Sequence, residues 1–193
     1  CLFFFTIAIG TAQIDTLIFT ETASLEFPPP GLFQSKSSFT SLLDRTGKPY
    51  LYSANMEAGL GIYDISQAGN IDFVMDVDIS FFEHIDVSHI KQAGELLFVS
   101  LGDFQSENPY SGLAILDISN PEAPIMRDIW TDEAFSNGVS HLLIEGDYAY
   151  LSMMNDGLLI LNISNPDTIE YVADMVPDLN FPTPSDDHHQ GRG

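Results

Sequence analysis

Basic side chains are the scarcest feature of this chain. Six Lys and Arg stand against 28 Asp and Glu across 193 residues, for a formal net charge of −22. A nucleic-acid binder needs a basic stripe to displace counterions from phosphates, and six scattered cations cannot form one. Adsorption to anionic membrane surfaces is excluded on the same ground. Cysteine is nearly absent too. One residue, Cys1, permits neither an internal disulfide nor a cysteine-based zinc module. Helical periodicity and helix caps are missing throughout. There is no Gly-x-Ser-x-Gly elbow, phosphate loop or dinucleotide fingerprint, and Cys1 falls in a segment read below as a signal, so no thiol nucleophile remains. With 45% hydrophobic residues, the chain is nonetheless not disordered and has enough apolar content for one domain core.

The one long apolar run is at the start. Residues 2–9 are apolar except Thr6, and Gly10-Thr11-Ala12 follows as a small-x-small cleavage pattern. Residues 1–13 therefore read as part of a secretory signal. The run is too short to cross a bilayer, which takes about 20 residues. A buried first strand and a lipidated Cys1 are the competing readings, but a lipidated cysteine is normally followed by a polar tether, and here Leu2-Phe3-Phe4-Phe5 follows. Residues 14–38 read as one strand and a stiff linker through Pro28-Pro29-Pro30-Gly31. The expected location is outside the cell or in its envelope, with no membrane insertion of the mature chain.

What the chain does contain is a repeat. Ser41-Leu42, Gly47, PYLYSA (49–54) and GLGIYDIS (59–66) align by eye with Ser88-His89, Gly94, LLFVSL (96–101) and GLAILDIS (112–119). A third copy is Ser140-His141, Gly146, YAYLSM (148–153) and GLLILNIS (157–164). The Gly-Leu anchor recurs at 59, 112 and 157, so its starts are 53 and 45 residues apart. The aromatic and aliphatic runs, bounded by Gly or polar turns, predict strands. GLAILDIS is nearly all apolar, which predicts a strand covered on both faces. Asn155-Asp156-Gly157 is a hairpin signal, and Asn120-Pro121 and Asn165-Pro166 end strands because Pro lacks an N–H. Further apolar strands follow at 71–78, 125–131 and 169–176. Four antiparallel strands per unit at this period predict an all-β fold, a β-propeller of four-stranded blades stacked face to face. The predicted blades are 39–83, 87–133 and 139–180, with 185–193 beginning a fourth. A propeller has roughly 4–8 blades, so a fragment of a longer ring is expected, with neighbouring blades of the missing remainder as its partners.

These units resemble the LVIVD repeat, a propeller-type repeat of exported bacterial proteins. Its pattern is a His near the first strand, an aromatic-rich second strand, then Gly-Leu-x-Ile-x-Asp-x-Ser-Asn-Pro. GLAILDISNPEAP and GLLILNISNPDT match, whereas GLGIYDISQAG lacks the Asn-Pro. The resemblance spans roughly residues 39–193. It implies a fold, an export route and a surface role, and no established chemistry.

Propeller topology places the loops between second and third strands on the same face as the connections between blades. This face collects Glu57, Glu83, Asp86, Asp103, Glu107, Asp132, Glu133, Asp156, Asp178, Asp186 and Asp187, with His84, His89, His188 and His189 in or beside it. Loops on a rigid scaffold are where binding residues sit. Asp103, Phe104, Glu107, Tyr110 and Asp156 are the candidate contacts for a protein or glycan, with Phe104 and Tyr110 as aromatic anchors. They equally suit packing onto the blade beneath. His89 and His141 are candidate metal ligands if their imidazoles converge near the axis, but recurrence in successive units favours a structural role. Asp186, Asp187, His188 and His189 form the better metal candidate. Carboxylates suit calcium, which takes roughly 6–8 oxygen ligands, so calcium or another divalent cation is the cofactor to test for. A solvated acidic exterior is the simpler account of the charge. The expected function is an exported, non-catalytic module that binds a protein, glycan or surface component. The alternative is a metal-dependent hydrolase or lyase with a His/Asp site near the axis.

Overall fold

A computed structural model describes residues 40–102, 108–136, 138–154 and 156–176. They form twelve strands in three four-stranded antiparallel sheets, each a simple meander in chain order. The first sheet holds β1 (Thr40–Leu43), β2 (Tyr50–Ala54), β3 (Leu60–Asp64) and β4 (Asp72–Val77). The second holds β5 (Val87–Ala93), β6 (Leu96–Leu101), β7 (Ser111–Asp117) and β8 (Ile125–Asp132). The third holds β9 (Val139–Glu145), β10 (Tyr148–Met153), β11 (Gly157–Asn165) and β12 (Thr168–Met175). The first strands β1, β5 and β9 pack side by side, and the last strands β8 and β12 also touch. The three sheets are thus stacked as blades in a propeller-type arrangement.

The Gly-Leu anchor has a steric cause. A Cβ on Gly59 would lie 2.2 Å from the carbonyl oxygen of Val77, on Gly112 2.0 Å from that of Trp130, and on Gly157 2.3 Å from that of Met175. In every unit the start of the third strand therefore runs against the backbone of the fourth, where only glycine fits.

Strand pairing corrects the alignment of the second strands by one residue. Tyr50 opposes Asp64, Leu96 opposes Asp117 and Tyr148 opposes Asn162, so Tyr50 and not Pro49 is the counterpart of Leu96. Proline has no N–H to contribute to the ladder, and Pro49 stays outside β2. Helices are not wholly absent either. Two short 3-10 turns, Ile79–Phe82 and Glu133–Phe135, open the connections between sheets.

Two apolar layers hold the stack. Between the first and second sheets lie Tyr52, Leu60 and Ile62 against Leu97, Val99, Ala114 and Leu116. Between the second and third lie Phe98, Leu113 and Ile115 against Ala149, Leu151, Leu159 and Leu161. Each fully buried Leu or Ile contributes about 1.5–3 kcal/mol. The continuous apolar reading of the third strand follows, because β7 is buried on both faces, at Leu113 and Ile115 on one side and Ala114 and Leu116 on the other.

Candidate functional site

The connection from the first to the second sheet is a tightly determined turn. The Asp78 carboxylate accepts the Ser80 N–H at 2.9 Å and caps the 3-10 turn. Hydrogen bonds from Ser80 hold the Asp78 carboxyl below its ordinary range. Phe82 drops into the core with no exposure, and Phe135 is also buried in the next connection, after an equivalent cap by Asp132 on Ala134 N–H. Glu83 and His84 then adopt left-handed backbone, with φ of 56° and 62°. Two consecutive non-glycine residues there cost about 1–3 kcal/mol each and persist only where neighbours over-determine them. Here His84 N–H donates to the Ile79 carbonyl at 3.0 Å, and Ile85 N–H donates to the Phe82 carbonyl at 3.0 Å.

This turn meets the loop between β6 and β7. Asn108 donates from Nδ2 to the His84 carbonyl at 3.2 Å, and its Oδ1 accepts from Tyr110 N–H at 3.1 Å. Gly102 N–H donates to the Asp86 carbonyl at 2.8 Å, and Met56 and Val87 form an isolated bridge. Gly138 N–H donates to Ser111 Oγ at 3.0 Å, which ties in the next connection. The loops of the second-to-third-strand class and the connections between sheets do share one face. Between them lies a shallow cleft of about 610 Å³, with Ile85 and Pro109 as apolar lining, Tyr110 as an aromatic wall, and Glu83, His84, Asn108 and Thr131 as polar groups.

Tyr110 is the candidate contact that lines this cleft, and it is 41% exposed. Asp156 sits half-buried in the turn between β10 and β11 and does not line it. Asp103, Phe104 and Glu107 lie outside the described residues, as do Asp186, Asp187, His188 and His189. Asn108 and Thr131 join the cleft without having been singled out in sequence. Thr131 belongs to β8, and nothing in its neighbourhood announces that it faces the loop at residues 108–110.

His89 and His141 are brought together. They lie opposite Ser100 and Ser152 on the first strands of adjacent sheets, each after a bulge at Ser88 or Ser140, and each of those serines donates its hydroxyl to the opposing carbonyl. The two rings meet edge to face with centroids 4.8 Å apart. His89 Nδ1 is buried with no hydrogen-bond partner. Burial, then the neighbouring His141 and Lys91, pushes the His89 imidazole down to about 4, so it is neutral at pH 7. In the first sheet Thr40 occupies the corresponding place, opposite Ala54. Among the described residues no group of three or more His, Cys, Asp or Glu could hold a metal ion. No described helix is long and apolar enough to cross a membrane.

Comparison with known families agrees with this architecture. The LVIVD repeat model matches residues 110–132 and 138–174, which carry β7 to β11 and all of β12 but Met175. Residues 110–132 and 138–174 are thus similar to the LVIVD repeat, a propeller-type repeat. No curated protein matches it.

Proposed function

We propose that this chain is an exported, non-catalytic binding module whose loop face holds a protein or glycan partner in the cleft between residues 83–85 and 108–110. The observation that carries the reading is the Glu83-His84 turn. Its left-handed backbone is held beside an exposed tyrosine by a hydrogen bond from another loop, and strain of this kind clusters at binding sites. An apolar floor with a few convergent polar groups is the usual composition of a ligand site. The acidic character of the chain favours partners that are neutral or basic over anionic ones. Export is supported by the apolar leader-like run at residues 2–9 and the near absence of cysteine.

The test is capture of surface proteins and of arrayed neutral glycans by the 193-residue chain and by Tyr110→Ala and His84→Gly variants. Tyr110→Ala should abolish retention of the captured species while leaving the unfolding midpoint nearly unchanged. His84→Gly removes the backbone strain and frees the turn, and should weaken binding while stabilising the fold. Equal capture by all three proteins would refute a site at this cleft.

A further inference from the structure

Each sheet is a four-stranded meander, so its strand ends fall on two opposite rims. One rim is the loop face with the cleft. The other carries the turns between first and second strands and between third and fourth. The four described Lys and Arg all lie toward that far rim. Arg45 and Lys48 stand in the turn from β1 to β2, Lys91 in the half of β5 that runs into the turn to β6, and Arg127 in the half of β8 that follows the turn from β7. Two of them are paired there, Lys48 with Glu95 at 3.1 Å, and Arg127 with Asp117 at 3.2 Å and Asp167 at 2.6 Å.

The loop face has the opposite composition. It carries Glu57, Glu83, Asp132, Glu133 and Asp156 and, among the described residues, no Lys or Arg. Two of these acids flank the cleft. Glu83 lines it, is exposed, and makes no ion pair among the described residues. Asp132 opposes Ser111 in the strand ladder, and the neighbours of that pair, Tyr110 and Thr131, both line the cleft. The negative potential here has no described cation on its own rim to neutralise it, and a concave site with apolar walls concentrates it.

The other groups of the cleft narrow the partner. Tyr110 leaves its ring open to solvent, and Ile85 and Pro109 are apolar lining. The Asn108 amide is engaged at both ends, by the His84 carbonyl and by Tyr110 N–H. An anionic partner would be repelled. A neutral sugar would stack on Tyr110 without using the surrounding charge. A guanidinium uses both features, because it is planar and weakly hydrated, stacks on aromatic rings and pairs with carboxylates.

We propose that the cleft takes an arginine side chain from a peptide segment of a basic partner. The guanidinium stacks on Tyr110 and pairs with Glu83, and a flanking aliphatic residue lies against Ile85 and Pro109. This rests on the reading of the cleft as a partner site and narrows it from protein or glycan to a basic peptide.

The test is a fluorescence-anisotropy titration of the 193-residue chain against labelled Gly-Ser peptides, acetylated and amidated at their ends. One peptide carries Arg between two Leu at its centre; the second is identical except for Gln in place of Arg. The Arg peptide should bind about tenfold more tightly, and the preference should shrink as salt rises. Glu83→Gln and Tyr110→Leu should each remove most of the preference, whereas Tyr110→Trp should retain it. Glu145→Gln, an equal change of charge at the far end of β9, should leave it unchanged. Equal binding of the two peptides overturns the proposal. So does an equal loss in Glu145→Gln, which would assign the preference to net charge. Retention of neutral glycans that depends on Tyr110, without binding of the Arg peptide, overturns this inference and leaves the cleft a binding site. If no peptide, glycan or surface protein is retained, both readings fall.

Discussion

The two interfaces between sheets have the same geometry and different chemistry. The first is tied at its rim by Lys48, which reaches Glu95 and the carbonyl of Ser119 at 2.6 Å, and by Tyr50 donating to Glu122 at 2.7 Å. That hydrogen bond to the Glu122 carboxylate pushes the Tyr50 phenol up to about 12. The second is tied by the two-pronged Arg127–Asp167 pair and by Asp128 accepting the Ile169 N–H at 2.6 Å. The second also contains the histidine pair, which the first lacks. What the two share is the apolar layer. The stack therefore tolerates exchange of its rim ties, which are exposed and worth little in water, and not of its facing aliphatic rows.

Four measurements would break or sharpen that comparison. The largest effect is expected within a sheet. Gly112→Ala forces a methyl against the Trp130 carbonyl and should cost about 3 kcal/mol or more in urea unfolding. Gly59→Ala and Gly157→Ala should cost as much, since the same approach recurs and positive φ adds strain; a tolerated alanine at any one would show that the three sheets are not internally equivalent. Next are the facing isoleucines. Ile62→Ala and Ile115→Ala each empty a fully buried site and should cost about 3–4 kcal/mol, whereas Ile160→Ala at the uncovered face should cost about 1 kcal/mol. Equal losses at all three would mean that this face of the third sheet is already covered.

Acid should act on the second interface alone. The His89 imidazole titrates near 4 when folded and near 6.5 when unfolded, so protonation favours the unfolded chain. Stability is complete above pH 6.5 and is lost as pH falls toward 4. After allowance for partial exposure, the loss is about 1–2 kcal/mol. No acidic or basic residue lies on β1, β2 or β6, and Lys91 and His141 are both of the wrong sign to relieve the charge. A His89→Leu variant should flatten this window, which lies above the range where lowered carboxylates such as Asp117 and Asp167 titrate; an unchanged profile would remove His89 from the account. The smallest effect is at the rims. Arg127→Gln should weaken the fold slightly at low salt and not at high salt, and more than Lys48→Gln does, because only Arg127 makes a two-pronged contact.

The repeat, the strand count and the buried third strand were legible because period-2 patterns and the Gly-Leu anchor report local backbone needs. The shared loop face was also legible, because it follows from strand alternation. The cleft was not. It depends on Glu83 and His84 holding a backbone that no residue type there announces, and on Thr131 reaching a loop of the same sheet. Tyr110 was found by its type, while the meeting of Asn108 with His84 was not.

Composition and repetition alone therefore determined that this chain is an acidic, stacked, four-stranded repeat. Those properties sum over local choices: turn residues, alternation and the scarcity of cations. The tertiary structure alone decided which faces are satisfied. The same row of residues is buried in two sheets and half-exposed in the third, although each sheet is apolar there. Burial depends on what arrives from the neighbouring unit, and only the stacked arrangement specifies that.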